Sequence, residues 1–141
     1  MPETLILDTG FWIGLYESSD ANHEKATTLA AYLDLCTLLL PWPSLYETLN
    51  TRFVRRTAWM RAFEQLFSRP GTILLPDDAY RHDALTQVFR GHHSRSGISL
   101  VDMVIRAMIA DTNINIDAMI TFNRRDFFDV CQARNIAILS D

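Results

Sequence analysis

Five short runs of mostly apolar residues are separated by longer amphipathic stretches. Continuous apolar strands of this kind are buried on both faces, which is typical of a parallel sheet covered by helices. The sequence therefore predicts an α/β fold, a single three-layer α/β/α domain over residues 1–141 with a central parallel sheet of four or five strands. The predicted strands are Thr4 to Leu7, Cys36 to Leu40, Thr72 to Leu75, Ala118 to Thr121 and Ile136 to Leu139.

Helical periodicity and punctuation by Pro, Gly and polar residues indicate the segments between the strands. Glycines and serines surround His92 and His93, so this pair is expected in a surface loop rather than in a histidine site. A first helix is expected to begin near Gly10. The other predicted helices are Asn22 to Leu35, Ser44 to Ser68 with a break near Thr57, Asp77 to about Gly91, and Ser99 to about Asp111.

The composition favours a cytoplasmic protein. Hydrophobic residues make up 48% of the 141 residues, enough for one substantial core. Two cysteines far apart match no metal or disulfide framework, and the first residues lack the basic start of a signal peptide. Since no run approaches the roughly 18 apolar residues of a membrane span, no membrane association is expected.

Four acids lie next to apolar sequence, where an unpaired charge is costly. Asp8 ends the run Leu-Ile-Leu, and Asp102 interrupts Leu-Val-Asp-Met-Val-Ile. Glu47 and Asp126 follow the second and fourth predicted strands. Because parallel strands end at one edge of their sheet, we expect these four side chains to gather there.

Helix capping is the alternative explanation for each acid. Ser44 with Glu47, and Ser99 with Asp102, both match the capping-box pattern. Asp8 is placed to cap the helix near Gly10, and Asp126 to lie on a first helical turn. Capping alone does not require all four acids to share one edge, and close carboxylates repel unless a cation lies among them. Oxygen ligands without His or Cys suit Mg²⁺ or Mn²⁺, which activate water in phosphodiester hydrolysis.

The net charge of −4 does not indicate a nucleic-acid binder, but the distribution of cations leaves room for one. Twelve of the 13 cations are arginines, whose planar guanidinium matches phosphate geometry. Solvated helix faces are an equally good explanation for each cluster. The RNA-binding candidates are Arg52, Arg55, Arg56, Arg95, Arg124 and Arg125.

Two aromatic-rich segments are interpreted mainly as core. They are residues 11–16 and the stretch that contains Phe53, Trp59, Phe63 and Phe67. Since they hold more large apolar side chains than a domain of this size readily buries, a partner groove or dimer face is the second interpretation.

Four motifs in order resemble those of PIN-domain ribonucleases. They are Leu-Ile-Leu-Asp8, Pro-Ser-Leu-Tyr-Glu47, Ile-Ser-Leu-Val-Asp102 and Thr121-Phe-Asn123-Arg-Arg-Asp126-Phe. The resemblance covers nearly the whole chain, and its size is most similar to VapC-type toxins of type II toxin–antitoxin systems.

The resemblance implies a Mg²⁺- or Mn²⁺-dependent endoribonuclease that forms a homodimer and is blocked by an antitoxin protein. It implies a metal-binding triad of Asp8, Glu47 and Asp102, with catalytic Asp126 as a fourth acid. The polar side chains that support the triad would be Thr9, Thr121 and Asn123. Asn123 stands where many relatives carry Asp, so whether Asn123 or Asp126 completes the site, and whether it holds one metal or two, stays open.

Two rival functions fit the same acids. One is a catalytically weak PIN-like RNA-binding or scaffolding domain, which the neutral Asn123 favours. The other is a small metal-dependent phosphohydrolase. A response-regulator receiver is disfavoured, because no acid pair surrounds the first strand end and no lysine follows Lys25.

Overall fold

A computed structural model describes residues 3–94 and 97–140 of the chain. Its strands form one sheet in the order β3-β2-β1-β4-β5, and every neighbouring pair is parallel. This confirms the predicted α/β class and the larger of the two predicted strand numbers. The strands are β1 Thr4–Leu7, β2 Thr37–Pro41, β3 Thr72–Leu75, β4 Ala118–Ile120 and β5 Ala137–Leu139.

Helices connect the strands. Within the described ranges, none is long and apolar enough to cross a membrane. A short 3₁₀ turn at Leu33–Leu35 follows the second helix. The helices are α1 Thr9–Tyr16, α2 His23–Ala30, α3 Trp42–Thr48, α4 Thr51–Val54, α5 Thr57–Phe67, α6 Arg81–Ser94, α7 Leu100–Ala110 and α8 Arg124–Ala133.

Three predicted helices differ from the observed ones. The helix predicted over Asn22 to Leu35 ends at Ala30, before the 3₁₀ turn. The predicted break near Thr57 is present, where α5 begins, but a second break separates α3 from α4. There the Asn50 side chain accepts a hydrogen bond from the N–H of Phe53 and donates one to the carbonyl of Glu47. Asn50 thus caps a new helix where periodicity alone predicted continuation.

The helix predicted to end near Gly91 continues to Ser94. The backbone at His92 and His93 is therefore helical, and the surface-loop prediction for this pair was wrong. Glycine lowers helix propensity by about 1 kcal/mol, but the apolar face of α6 packs on α7 and outweighs that cost. Arg95 lies outside the described residues.

The sheet separates two cores of different character. Leu5 and Leu7 face an aromatic core that includes the fully buried Trp12 and Phe63, whose ring centroids are 5.2 Å apart. Ile6 between them faces an aliphatic core beneath α7 and α8. Phe11 and Phe53 are also buried in the aromatic core, so the core interpretation of these residues is confirmed.

The strand order places β1 at the centre of the sheet. From β1 the chain moves to β2 and β3 on one side, and it returns to β4 on the other. Connections that leave a parallel sheet in opposite directions open a crevice at the carboxyl ends of the strands between them. The crevice here lies where β1 and β4 end, next to Asp8 and Thr121.

Candidate functional site

Asp8 lies directly after β1 and is the N-cap of α1, as the sequence predicted. Its Oδ1 accepts a hydrogen bond of 2.6 Å from the N–H of Thr9. Its Oδ2 accepts one of 2.8 Å from the hydroxyl of Thr121, at the end of β4. Both oxygens are thus fixed, and each keeps a lone pair for a further partner.

Asp8 is buried, with 6% of its surface exposed. Burial raises its pKa above the ordinary value, and the negative charges of Glu47 and Asp126 add to that rise. The hydrogen bonds from Thr121 and Thr9 oppose it without cancelling it. The site therefore holds a carboxylate whose charge the described residues do not neutralise.

Glu47 reaches the same edge from α3, but not through the predicted capping box. The helix begins at Trp42 with Pro41 as N-cap, so Ser44 lies inside the helix. The Ser44 hydroxyl is buried and has no hydrogen-bond partner among the described residues. Glu47 is oriented instead by the Thr9 hydroxyl, which donates to its Oε1 over 2.9 Å.

Asp102 enters from the first turn of α7, where the serine half of the predicted capping box is present. Ser99 is the N-cap, and its Oγ accepts a hydrogen bond of 3.2 Å from the N–H of Asp102. The cap uses the backbone of Asp102 and leaves its carboxyl free to face the crevice. Burial, followed by the charges of Asp8, Asp126 and Glu47, raises the pKa of Asp102 to about 7.

Asp126 lies on the first turn of α8, as predicted, and Asn123 is the residue before that helix. The Asn123 Nδ2 donates to Asp126 Oδ2 over 2.8 Å and to Asp102 Oδ2 over 3.3 Å. The backbone N–H of Asn123 donates to the Thr121 hydroxyl. One hydrogen-bonded network therefore joins Asp8, Thr121, Asn123, Asp102 and Asp126.

Arg106 supports this network and was missed by the sequence reasoning. Its guanidinium holds Asp129 through two hydrogen bonds of 2.6 and 2.8 Å and also donates to the backbone carbonyl of Asp126. It thereby ties α7 to the first turns of α8. The signal in the sequence was a lone cation in the apolar helix one turn after Asp102.

The arginine candidates within the described residues are exposed but differ in their contacts. Arg52 pairs with Glu17, and Arg56 lies over the Trp59 ring at 4.7 Å from its centroid. Arg124 lies over the ring of Phe128, 5.2 Å from its centroid. Arg124 and Arg125 follow Asn123 directly, so these two are nearest in sequence to the acidic edge.

The acids carry no ion pair in the described part of the chain, where the ion-paired acids are Glu17, Asp77, Asp78 and Asp129. Hard oxygen donors with uncompensated charge fit a divalent cation such as Mg²⁺. As the side chains lie, no group of three or more His, Cys, Asp or Glu among the described residues is arranged to hold a metal ion. The carboxylate oxygens are suitable ligands for a divalent cation. The side chains would have to move before several of them could coordinate it together.

Comparison with known proteins identifies the fold. No protein-family model and no curated protein matches the sequence. Among solved structures, the chain is similar to VapC20 of Mycobacterium tuberculosis, a sarcin–ricin loop cleaving toxin. The TM-score is 0.67 and the identity 21%, over 92% of this chain and 94% of that one.

A second similar structure is VapBC2 of Rickettsia felis bound to a DNA fragment from its promoter. Its TM-score is 0.56 at 12% identity, over 96% of both chains. The chain therefore has the PIN-like fold of VapC-type toxins over nearly its whole length. The predicted likeness to this structural class is confirmed.

Proposed function

We propose that this protein is a divalent-metal-dependent endoribonuclease, the toxin of a toxin–antitoxin pair that acts in the cytoplasm. The observation that carries the proposal is the meeting of four carboxylates, without an ion pair in the described residues, at the strand ends of a PIN-like sheet. The fold is that of a toxin that cleaves the sarcin–ricin loop. The RNA phosphodiester is the substrate class that this chemistry suits.

In this proposal Asp8, Glu47 and Asp102 hold one Mg²⁺ or Mn²⁺. A bound divalent cation would lower the pKa of water and neutralise phosphoryl oxygens during in-line displacement. Thr121 holds Asp8, and Thr9 holds Glu47, so that both carboxylates face the crevice. Since the pKa of Asp102 is about 7, cation and proton compete for this carboxyl near neutral pH.

Asp126 completes the acidic edge as the fourth catalytic acid. Arg124 and Arg125 are proposed to contact the RNA backbone beside it, since both are exposed at the start of α8. The positive end of a helix also favours an approaching phosphate. For Arg52, Arg55, Arg56 and Arg95 the same role stays a prediction, and a steep fall of RNA affinity with salt would support it.

The decisive experiment is an RNA-cleavage assay with and without Mn²⁺ for the wild type and for Asp8→Asn. Asparagine has nearly the same shape as aspartate, and its side-chain oxygen can still accept a hydrogen bond from the N–H of Thr9. Circular dichroism should therefore show an unchanged fold. We expect Mn²⁺-dependent cleavage by the wild type and a loss of at least about 100-fold in the variant. Equal cleavage by both proteins would refute the proposed role of Asp8.

The rival functions give different outcomes in the same assay. An RNA-binding scaffold would retain RNA on a filter without cutting it in Mn²⁺. A small-molecule phosphohydrolase would turn over p-nitrophenyl phosphate rapidly and leave RNA intact. Either result would replace the ribonuclease proposal.

We also propose that a second copy of the chain packs on the surface formed by α3, α6 and α7. Tyr46 is 69% exposed, and Leu85 and Leu100 are also exposed around a groove of about 310 Å³ lined by Val101 and Val104. Phe89, one turn after Leu85, is exposed as well. Clustered apolar side chains of this size usually mark an interface.

Light scattering checks the dimer. The wild type should have the mass of a dimer at micromolar concentration, and Leu85→Glu should be monomeric because it places a charge in the groove. Val54 is an exposed apolar residue on α4, so Val54→Glu is the matched control and should stay dimeric. The antitoxin is a further proposed partner, supported by the VapBC2 likeness.

A further inference from the structure

Asn123 is the residue through which the third and fourth acids meet. A single nitrogen, Nδ2, donates to Asp102 Oδ2 on α7 and to Asp126 Oδ2 on α8. An amide nitrogen carries two hydrogens, so both contacts use its full donor capacity. Both hydrogen bonds from this amide go to Oδ2 atoms.

The orientation of this amide follows from its surroundings. If the group were turned over, the Asn123 carbonyl oxygen would face two carboxylates and lose both hydrogen bonds. The backbone fixes the residue as well, because its N–H donates over 2.9 Å to Thr121, whose hydroxyl donates over 2.8 Å to Asp8. The amide is therefore held from both ends with its partial positive charge between Asp102 and Asp126.

A second divalent cation held by Asp102 and Asp126 would compete with this NH₂ group for the Oδ2 atoms of both carboxyls. Displacing the amide would cost its two charge-assisted hydrogen bonds. Its carbonyl oxygen, if turned toward a cation, would be a neutral ligand that adds no negative charge to the site. Asp8 and Glu47, by contrast, accept hydrogen bonds from Thr9 and Thr121, and none of the hydrogen bonds among the described residues joins them to this amide. The crevice is thus divided into a part open to a cation and a part filled by a neutral donor.

We infer that Asn123 is a positioning residue that restricts this site to a single divalent cation, with Asp126 held by the amide instead of a second ion. The inference rests on the proposed function, since it assumes that Asp8, Glu47 and Asp102 hold the first ion. It gives Asp126, the fourth acid of the edge, the additional task of anchoring Asn123. It also predicts that one substitution converts the site to a two-metal site.

The test is a count of bound Mn²⁺ per chain by isothermal titration and by electron paramagnetic resonance. The wild type should bind one Mn²⁺ and give the spectrum of an isolated ion. Asn123→Asp should bind two and show the spectrum of a spin-coupled pair, because a carboxylate replaces the donor between Asp102 and Asp126. An acid at this helix start also suits the helix dipole, so folding should persist.

Asn135→Asp is the matched control, since it adds the same charge at an exposed turn after α8 and should leave one Mn²⁺ bound. Two ions in the wild type, none in the wild type, one in Asn123→Asp, or two in Asn135→Asp would each overturn the inference. RNA cleavage by the same samples separates the two proposals. If the wild type binds one Mn²⁺ but does not cleave RNA, the ribonuclease proposal is refuted and the role of Asn123 stands. If the wild type cleaves RNA and binds two Mn²⁺ ions, the role of Asn123 is refuted and the ribonuclease proposal stands.

Discussion

The starts of α3 and α7 carry the same sequence pattern, a serine followed three residues later by an acid, but they are built differently. At α7 the Ser99 hydroxyl caps the helix, and Asp102 lies on its first turn. At α3 the helix begins at Trp42, two residues before Ser44, and the buried Ser44 hydroxyl has no hydrogen-bond partner among the described residues. Both acids nevertheless face the same strand edge.

The difference shows what decides each helix start. Pro41 ends β2 and Pro43 lies on the first turn of α3, where its missing N–H is not needed. This backbone restriction sets the start of α3 before any serine cap can form. No proline lies at the start of α7, and the Ser99 side-chain cap sets the first residue of that helix. The two helices share the position of their acid at the same edge of the sheet, and they do not share the way in which they are capped.

The largest expected effect is on catalysis. Glu47→Gln and Asp102→Asn keep nearly the same volume, and the cap bond at α7 uses the Asp102 backbone, so both variants should fold. Each should lose RNA cleavage by at least about 100-fold if the carboxylates hold the metal. Rates of cleavage of a labelled RNA in Mn²⁺ measure this. Full activity in Glu47→Gln alone would show that α3 contributes no ligand.

Metal removal should lower the stability of the wild type and leave that of the same two variants nearly unchanged. Mn²⁺ at 100 times its dissociation constant should raise the free energy of unfolding of the wild type by about 2.7 kcal/mol. Glu47→Gln and Asp102→Asn should show little of this gain at the same concentration. Thermal melts with Mn²⁺ and with a chelator measure it. Equal gains in all three proteins would place the ion elsewhere.

The two serines should differ in their effect on stability. Ser99→Ala removes a working N-cap and should lower the free energy of unfolding by about 1 kcal/mol. Ser44→Ala removes a buried hydroxyl without a partner and should leave stability unchanged or raise it by up to about 1 kcal/mol. Urea unfolding distinguishes the two. Equal losses would mean that Ser44 caps α3 after all.

The smallest expected effect is on the pH dependence of stability in metal-free protein. The Asp102 carboxyl ionises near 3.8 when unfolded and near 7 when folded, so the folded state binds more protons between these values. Stability from this group is full below about pH 4 and is lost as pH rises through 7. Water screens this half-buried group, which keeps the effect modest. Asp102→Asn should flatten the slope in urea melts at pH 4.5 and 7.5, and an unchanged slope would contradict the shift.

The sequence predicted the sheet well because buried strands impose an unmistakable pattern. Leu5 to Leu7 and Leu38 to Leu40 are buried, and the shortness of these continuous apolar runs favours strands over helices. The sheet edge at which the acids gather could be predicted from the ends of the strands, because that prediction does not depend on side-chain orientation. Helix boundaries were less predictable, since Asn50 and Pro41 act through the backbone of their neighbours.

The contacts inside the site could not be predicted. That Thr121 holds Asp8, or that Asn123 binds two acids at once, depends on side-chain directions fixed by packing between α7 and α8. Arg106 belongs to the same category, because its partners Asp126 and Asp129 are about twenty residues away. The sequence showed which residues approach one edge, and the structure showed which of them share a hydrogen bond.

The hydrogen bond between Thr121 and Asp8 joins residues 113 positions apart. During synthesis the ribosome must therefore release almost the whole chain before Asp8 meets its partner at the crevice. A nascent chain that ends before β4 has its first acid but not the hydroxyl that orients it. For the proposed ribonuclease, late completion of the site would protect the translating ribosome from its own product.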